Sequence, residues 1–284
     1  AALSALFVHE ADYVVSNSGD TGFVVPPEDR AVPAGSVSRS FCRMLLDLLH
    51  ARWGAGRDGL TFLPCELVSR NGTTLRDILT TLAQDRALKP DFVEWMRQSC
   101  IWADTLVDRI VSEPLEPAGA VAEPYALWAI ARQPGLRLPF THPSVVLTDD
   151  LERFERLKIH VLNLGHSWLA ERWRAGGSKA GMTVREALAD AVTVSALTRL
   201  YDEEVIPGFA ARGLEREARD YAAVTIERFR NPFLDHRLSD IAQHHAEKLE
   251  KRVVSFLKWV DATGVDVPMP MLRTWVAPKA AVAA

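Results

Sequence analysis

Residues 59–82 decide how this chain folds: Gly59-Leu-Thr-Phe-Leu-Pro-Cys65, then Glu66-Leu-Val-Ser-Arg-Asn-Gly-Thr-Thr-Leu-Arg-Asp-Ile-Leu-Thr-Thr-Leu82. The first part is a short apolar run bounded by turn formers and reads as a strand. The second changes period, with Leu75, Ile78, Leu79 and Leu82 at helical spacing, and Thr74 with Asp77 three residues on predicts the helix start. The same alternation lies upstream. Tyr13-Val14-Val15 is a β-type run closed by Ser16-Asn17-Ser18-Gly19-Asp20, and a helix marked by Phe41, Leu45, Leu48 and Leu49 follows. Strand, helix, strand, helix is the rhythm of a parallel sheet, because parallel neighbours need a crossover.

Downstream, a helical stretch around Phe92, Trp95 and Met96 leads to Val107-Asp108-Arg109-Ile110 and a Pro-, Glu- and Ala-rich connector from Ser112 to Pro124. That connector predicts a domain boundary, dividing the chain into 1–112 and 113–284. Tyr125–Ile130 and Ser144–Thr148 read as extended, after which helix dominates: Asp149 or Asp150 caps the first, and 183–201, 215–229 and 238–260 follow at helical spacing. The alanine-rich end from Ala277 is expected to fray. The fold class read from the pattern is α/β, with a mostly helical C-terminal half.

The chain has 284 residues and 48% apolar content, enough for a substantial core. A net charge of −4 and a pI near 6.1 carry no electrostatic footprint for nucleic acid or an anionic membrane. Cys42, Cys65 and Cys100 are odd in number, widely spaced and set among apolar residues, which points to buried free thiols in a reducing compartment. No apolar run approaches a bilayer span and no signal-like start is present, so a cytoplasmic protein is expected.

The chemistry concentrates in Lys158-Ile-His-Val-Leu-Asn-Leu-Gly-His166. On a regular helix Asn163 falls roughly 140° and His166 roughly 80° round from Lys158, beside an apolar ridge of Phe154, Leu157, Val161, Leu164 and Trp168. The rise from Lys158 to His166 is roughly 12 Å, a span that a lysine stem and an imidazole can close around one small substrate. A desolvated lysine is a usable general base, an amide can donate to a carbonyl oxygen or alkoxide, and a histidine can orient a hydroxyl. A carbonyl or secondary alcohol suits the set, and a merely solvated polar face is the plain alternative. A metal-dependent hydrolase built from His236, His244 and His245 is disfavoured, since helical metal pairs sit at i and i+3 or i+4.

Taken in order, Val15-Ser-Asn-Ser-Gly-Asp-Thr-Gly22, Pro64-Cys-Glu-Leu with Asn71-Gly72, Thr105-Leu-Val-Asp-Arg-Ile110, the Lys158–His166 motif and Arg228-Phe-Arg-Asn-Pro232 carry a resemblance. The chain resembles the mannitol dehydrogenase family of long-chain, NAD-dependent polyol and uronate oxidoreductases, and within it the tagaturonate (altronate) reductases. The resemblance implies part of a Rossmann-type parallel-sheet domain followed by a mostly α-helical substrate domain, and hydride transfer between nicotinamide and a secondary alcohol or ketone carbon without a metal. It implies Lys158 as general acid/base, Asn163 polarising the carbonyl and His166 holding a substrate hydroxyl. Asp108, with Asn71 nearby, is implied at the substrate, although Asp108 beside Arg109 is equally readable as an ion pair. Arg228 and His236 would meet a sugar-acid carboxylate or distal hydroxyls, against a salt-bridge or capping role for Arg228. Ser16, Asn17 and Ser18 follow the first strand, at the edge where open α/β sheets bind ligands, and would line the nicotinamide end. A monomer or weak dimer acting on a small sugar acid or polyol is the implied state.

The sequence departs from that pattern in places. The strand, glycine-rich turn and helix that should receive a dinucleotide pyrophosphate are not found, and Gly54-Ala-Gly56 reads as a turn at a helix end. The resemblance begins midway through the family's cofactor domain and stops early at the C-terminus, so a retained part of a longer protein is expected. The ribose-reading residue falls outside the matched stretch, leaving NADP open beside NAD. Polyol-oxidising members tend to carry Cys-Asp-Asn where this chain has Cys65-Glu66-Leu67, and Leu67 donates no hydrogen bond, which leans the substrate toward a sugar acid such as altronate. The alternative from another class is a non-catalytic relative that binds a sugar acid or a protein partner.

Overall fold

The computed structural model describes residues 2–19, 21–31 and 40–277, in two compact units; Asp20 of the expected turn and the alanine-rich end at 278–284 lie outside them. The first unit comprises residues 1–108 and 126–151, the second 109–125 and 152–284.

In the first unit α1 (Ala2–His9) precedes β1 (Tyr13–Ser16), and α2 (Pro27–Ala31) and α3 (Phe41–Gly54) lead to β2 (Thr61–Pro64). Then α4 (Asn71–Asp85) and α5 (Pro90–Gln98) lead to β3 (Ile101–Trp102). The strands pair parallel in the order β1-β2-β3, with Tyr13 opposite Thr61 and Phe62 opposite Trp102. The expected parallel sheet is therefore present, and β2 lies at its centre, buried along its whole length. Its side chains alternate between two filled faces. Phe62 stacks on Trp102, ring centroids 4.0 Å apart, among Leu45, Leu49, Leu75, Leu79 and Phe92, so α3 to α5 cover that face. Leu63 points the other way, to Ala103, Ile130 and Trp128. A fully buried side chain of this kind contributes about 1.5–3 kcal/mol.

The second face is covered by two strands expected only as extended runs, Leu127–Ala131 and Val145–Thr148; the three strands before them were not expected. β4 (Thr105–Asp108) is followed by β5 (Val111–Leu115) and β6 (Gly119–Ala122), then β7 (Leu127–Ala131) and β8 (Val145–Thr148). β4 pairs antiparallel with β7, and β7 parallel with β8. The stretch expected as a connector is instead the β5–β6 hairpin of the second unit, and the chain returns to the first unit at residue 126. The Pro and Ala content of 111–122 hid the hairpin, because neither residue marks a strand.

Capping also departs from expectation. α4 begins at Asn71 rather than Thr74, after Arg70 in the left-handed region (φ 49°). Gly72 is required there: a Cβ would lie 2.3 Å from the Ala103 carbonyl oxygen.

The second unit is helical. α6 (Leu151–Leu157) runs into a π-helical turn (Lys158–Asn163) and then α7 (Leu164–Ala175) without a break. The helix expected over 183–201 is divided into α8 (Val184–Ala187) and α9 (Ala191–Leu200), because Thr183 and Glu186 form a capping box and Asp190 caps afresh. A second π turn (Tyr201–Val205), α10 (Ile206–Ala210) and α11 (Glu215–Phe229) follow. The helix expected over 238–260 is split into α12 (Leu238–Ile241), α13 (His245–Leu249), a third π turn (Glu250–Val254) and α14 (Ser255–Asp261); His244 in the left-handed region makes the first break. In α15 (Pro270–Val276) the N-terminal amides of Met271 and Leu272 donate to the buried carboxylate of Glu204, at 2.6 and 2.8 Å. No helix among the described residues is long and apolar enough to cross a membrane.

Candidate functional site

The Lys158 helix buries most of the ridge expected of it: Leu157, Val161 and Leu164 join the core of the second unit, with Trp168 packed against it, while Phe154 stays outside that core. The π turn alters the other face. Each i→i+5 step adds a residue to the turn, so positions after Lys158 lag behind the angles of a regular helix. The displaced Val161 carbonyl accepts from the Tyr201 hydroxyl at 3.0 Å. Gly165 makes room for it, since a Cβ there would lie 2.1 Å from that hydroxyl oxygen. The glycine of the Asn-Leu-Gly-His run is thus explained by a residue remote in sequence.

Lys158 and Asn163 are half-buried at the two ends of the π turn. His166 lies one turn further and is buried. Its ring sits 4.3 Å from Phe229 and 4.7 Å, edge to face, from His236. Burial first, and then the neighbouring His236, Arg252, Arg228 and Lys248, hold the His166 imidazole well below its ordinary pKa. Burial likewise lowers His236. Both rings are therefore neutral near pH 7. His166 Nε2 and His236 Nδ1 are buried without a protein hydrogen-bond partner, which marks a place where a small polar ligand can be received. The structure thus brings His166 and His236 together. Among the described residues there is no group of three or more His, Cys, Asp or Glu side chains placed to hold a metal ion.

Arg228, at the end of α11, is not offered to a ligand carboxylate in the way expected. Its Nε and Nη2 meet Glu123 at 3.0 and 2.8 Å, with both side chains buried. Tyr125 stacks on the guanidinium, 4.1 Å from ring centroid to Cζ, and Nη1 donates to the Tyr221 hydroxyl at 3.2 Å. The salt-bridge alternative is what forms. Glu123 also accepts from the Ile110 amide at 2.6 Å. It lay in the stretch read as a connector, and no local pattern marked it. Arg109 donates to the Glu123 carbonyl at 2.9 Å.

In the first unit, Ser16, Asn17 and Ser18 lie at the carboxyl end of β1, where ligands bind in open α/β sheets. Glu66, just past β2, holds this loop. Its carboxylate accepts from Ser16 Oγ at 3.0 Å, Ser18 Oγ at 2.7 Å and the Ser18 amide at 2.9 Å. Asn17 is exposed between them. Asn71, expected near the substrate, is fully engaged within the protein. Its Nδ2 donates to the carbonyls of Pro64, Glu66 and Thr105, and its Oδ1 accepts from the amides of Gly72 and Thr105. It is a brace that ties the ends of β2 and β4, with no polar atom left to offer. Asp108 is buried at the end of β4, paired in register with Leu127. Burial pushes the thiols of Cys42, Cys65 and Cys100 up to about 12, 11 and 11, so all three are free and unreactive.

Residues 5–137 match the model of the mannitol dehydrogenase Rossmann domain, and residues 150–277 that of the mannitol dehydrogenase C-terminal domain. An altronate oxidoreductase of Halalkalibacterium halodurans is 34% identical, over 75% of this chain and 44% of that protein. One from an Enterobacter species is 30% identical, over 89% and 56%. The chain spans about half the length of these curated relatives. Among solved structures, a substrate-free D-sorbitol dehydrogenase superposes with a TM-score of 0.74, covering 93% of this chain and 59% of that one. A Pseudomonas fluorescens mannitol 2-dehydrogenase, solved as a ternary complex with NAD and D-mannitol, gives 0.73, with 93% and 58% covered. At 20% identity these likenesses speak to the fold: a Rossmann-like parallel-sheet part and a mostly helical part.

Proposed function

The chain belongs to the mannitol dehydrogenase family, and from that premise we propose that it is an NAD-dependent oxidoreductase interconverting a secondary alcohol of a sugar acid or polyol with its ketone. Altronate and tagaturonate are the favoured pair, because the relatives that match most of the chain are altronate oxidoreductases. The observation that carries the reading is the unbroken helical run from 151 to 175. It sets Lys158 and Asn163 at the ends of a π turn and a buried, neutral His166 one turn beyond.

In this reading the roles follow from the chemistry of each group. Lys158 takes the hydroxyl proton during oxidation and returns it to the carbonyl oxygen during reduction. The Asn163 amide, which makes no side-chain hydrogen bond among the described residues, donates to the same oxygen as negative charge develops. His166 and His236, with their unpartnered ring nitrogens, hold neighbouring hydroxyls. Arg228, already neutralised by Glu123, fixes the wall of the site rather than meeting a carboxylate alone. Bound NAD would accept or supply the hydride. The Ser16–Ser18 edge suits its nicotinamide end, and Glu66 and Asn71 act as supports behind it.

The second reading is a relative that binds a sugar acid without turning it over. The helices that follow the parallel strands spend their N-termini internally. Asp104 accepts from the Thr73 amide at 2.7 Å and Asn71 from that of Gly72 in α4, and Ser40 caps α3.

Consumption of NADH with tagaturonate, fructuronate and fructose separates the two readings. Turnover is expected with a keto-acid, and Lys158→Ala should lower kcat at least ~100-fold while leaving the fold intact. A folded Lys158→Ala protein with full turnover would overturn the lysine's role. Binding of altronate with no turnover and no dependence on NADH would establish the second reading.

A further inference from the structure

A π turn redirects some of its backbone carbonyls, and groups outside the helix can bond to them. Tyr201 does so for Val161. The other prop is Arg252, from the third π turn. Its Nη1 donates to the Asn163 carbonyl at 3.1 Å and to the Ser167 hydroxyl at 2.8 Å. Its own carbonyl accepts from His160 Nδ1 at 3.0 Å. One residue therefore grips the 158–167 segment at His160, Asn163 and Ser167, across the span that carries the proposed acid/base groups.

The choice of arginine needs a reason. Burial pulls the Arg252 guanidinium down to about 10, and no carboxylate offsets that shift among the described residues. A half-buried cation held by neutral partners costs stability that a neutral donor would spare. What it gives in return is a fork that fixes two acceptors at once and a positive charge beside His166 and His236. Local costs of this kind concentrate where function sets the geometry.

We propose that Arg252 is a positioning residue of the reaction, fixing the Asn163 peptide at the π-to-α junction so that the Asn163 amide is aligned with Lys158. The inference rests on the function proposed above. Arg252 touches no reacting atom in it and acts through Asn163.

Steady-state kinetics of the purified protein with NADH and the substrate it reduces test this. Arg252→Lys keeps the charge but loses the fork, and Arg252→Met removes both. Arg252→Lys is expected to lower kcat about tenfold, and Arg252→Met further, with KM held within about threefold. In an Asn163→Ala background, Arg252→Lys should cause almost no further loss, because its effect passes through the missing amide. A kcat for Arg252→Lys within about twofold of the parent, or losses that multiply in the Asn163→Ala background, would overturn the proposal. Should Arg252→Met fail to fold, the Arg252→Lys cycle decides alone. A parent protein silent with every keto-acid and ketose brings down the oxidoreductase reading and this proposal with it. An active parent, an inactive Lys158→Ala and a fully active Arg252→Lys bring down the role of Arg252 alone.

Discussion

Arg228 shows how far one residue can be read in isolation. A guanidinium in Arg228-Phe-Arg-Asn-Pro232 invites a carboxylate, and it has one, but that carboxylate belongs to Glu123, 105 positions away. Exposed ion pairs contribute little, whereas breaking a buried one strands a charge. Glu123→Gln is therefore expected to destabilise the protein by about 3–5 kcal/mol. A urea-unfolding midpoint that did not move would show that Arg228 had found another anion. Asn71 teaches the same lesson: the asparagine was conspicuous, but its use as a five-bond brace depends on carbonyls and amides contributed by β2, α4 and β4.

At the scale of elements, helical spacing in 151–175 was legible because Leu157, Val161 and Leu164 recur on one side. The π turn within it was not, because the groups that bond to it, among them the Tyr201 hydroxyl in another π turn, lie far away in sequence. Gly165→Ala would press a methyl group to 2.1 Å from that oxygen and should cost about 1–3 kcal/mol. Tyr201→Phe alone removes one of the two bonds that the Val161 carbonyl accepts, the other coming from the Leu164 amide, and should cost about 0.5–1.5 kcal/mol. Because both act on one spot, the double variant should lose clearly less than the two singles together in a thermal-unfolding cycle; strict additivity would deny the coupling. The breaks at 188–190 and at His244 were missed for a related reason: capping by Thr183, Glu186 and Asp190 overrides a spacing that continues across them.

For the whole molecule, burial of imidazoles predicts how stability depends on pH. His160, packed against Phe256 and Trp259, is pushed down to about 4 by burial, and burial also lowers His166, His236 and His245. Between pH 6.5 and 4 the unfolded chain binds protons that the native His160 refuses, so stability is present above about pH 6.5 and is lost as pH falls. His160 alone should account for about 2 kcal/mol between pH 7.5 and 5. Urea titrations at both pH values check this, and His160→Phe should flatten part of the slope; an unchanged slope would refute the assignment. The sequence by itself determined the parallel-sheet beginning, the helical second half and the segments that carry the chemistry, because these rest on local period and residue type. The pairing of β7 and β8 that closes the sheet's second face, the hairpin at 111–122, and the partners of Arg228, Asn71 and Asn163 were decided only by the tertiary structure. Each depends on a donor, acceptor or apolar surface supplied from a distant part of the chain, and neither period nor propensity carries that information.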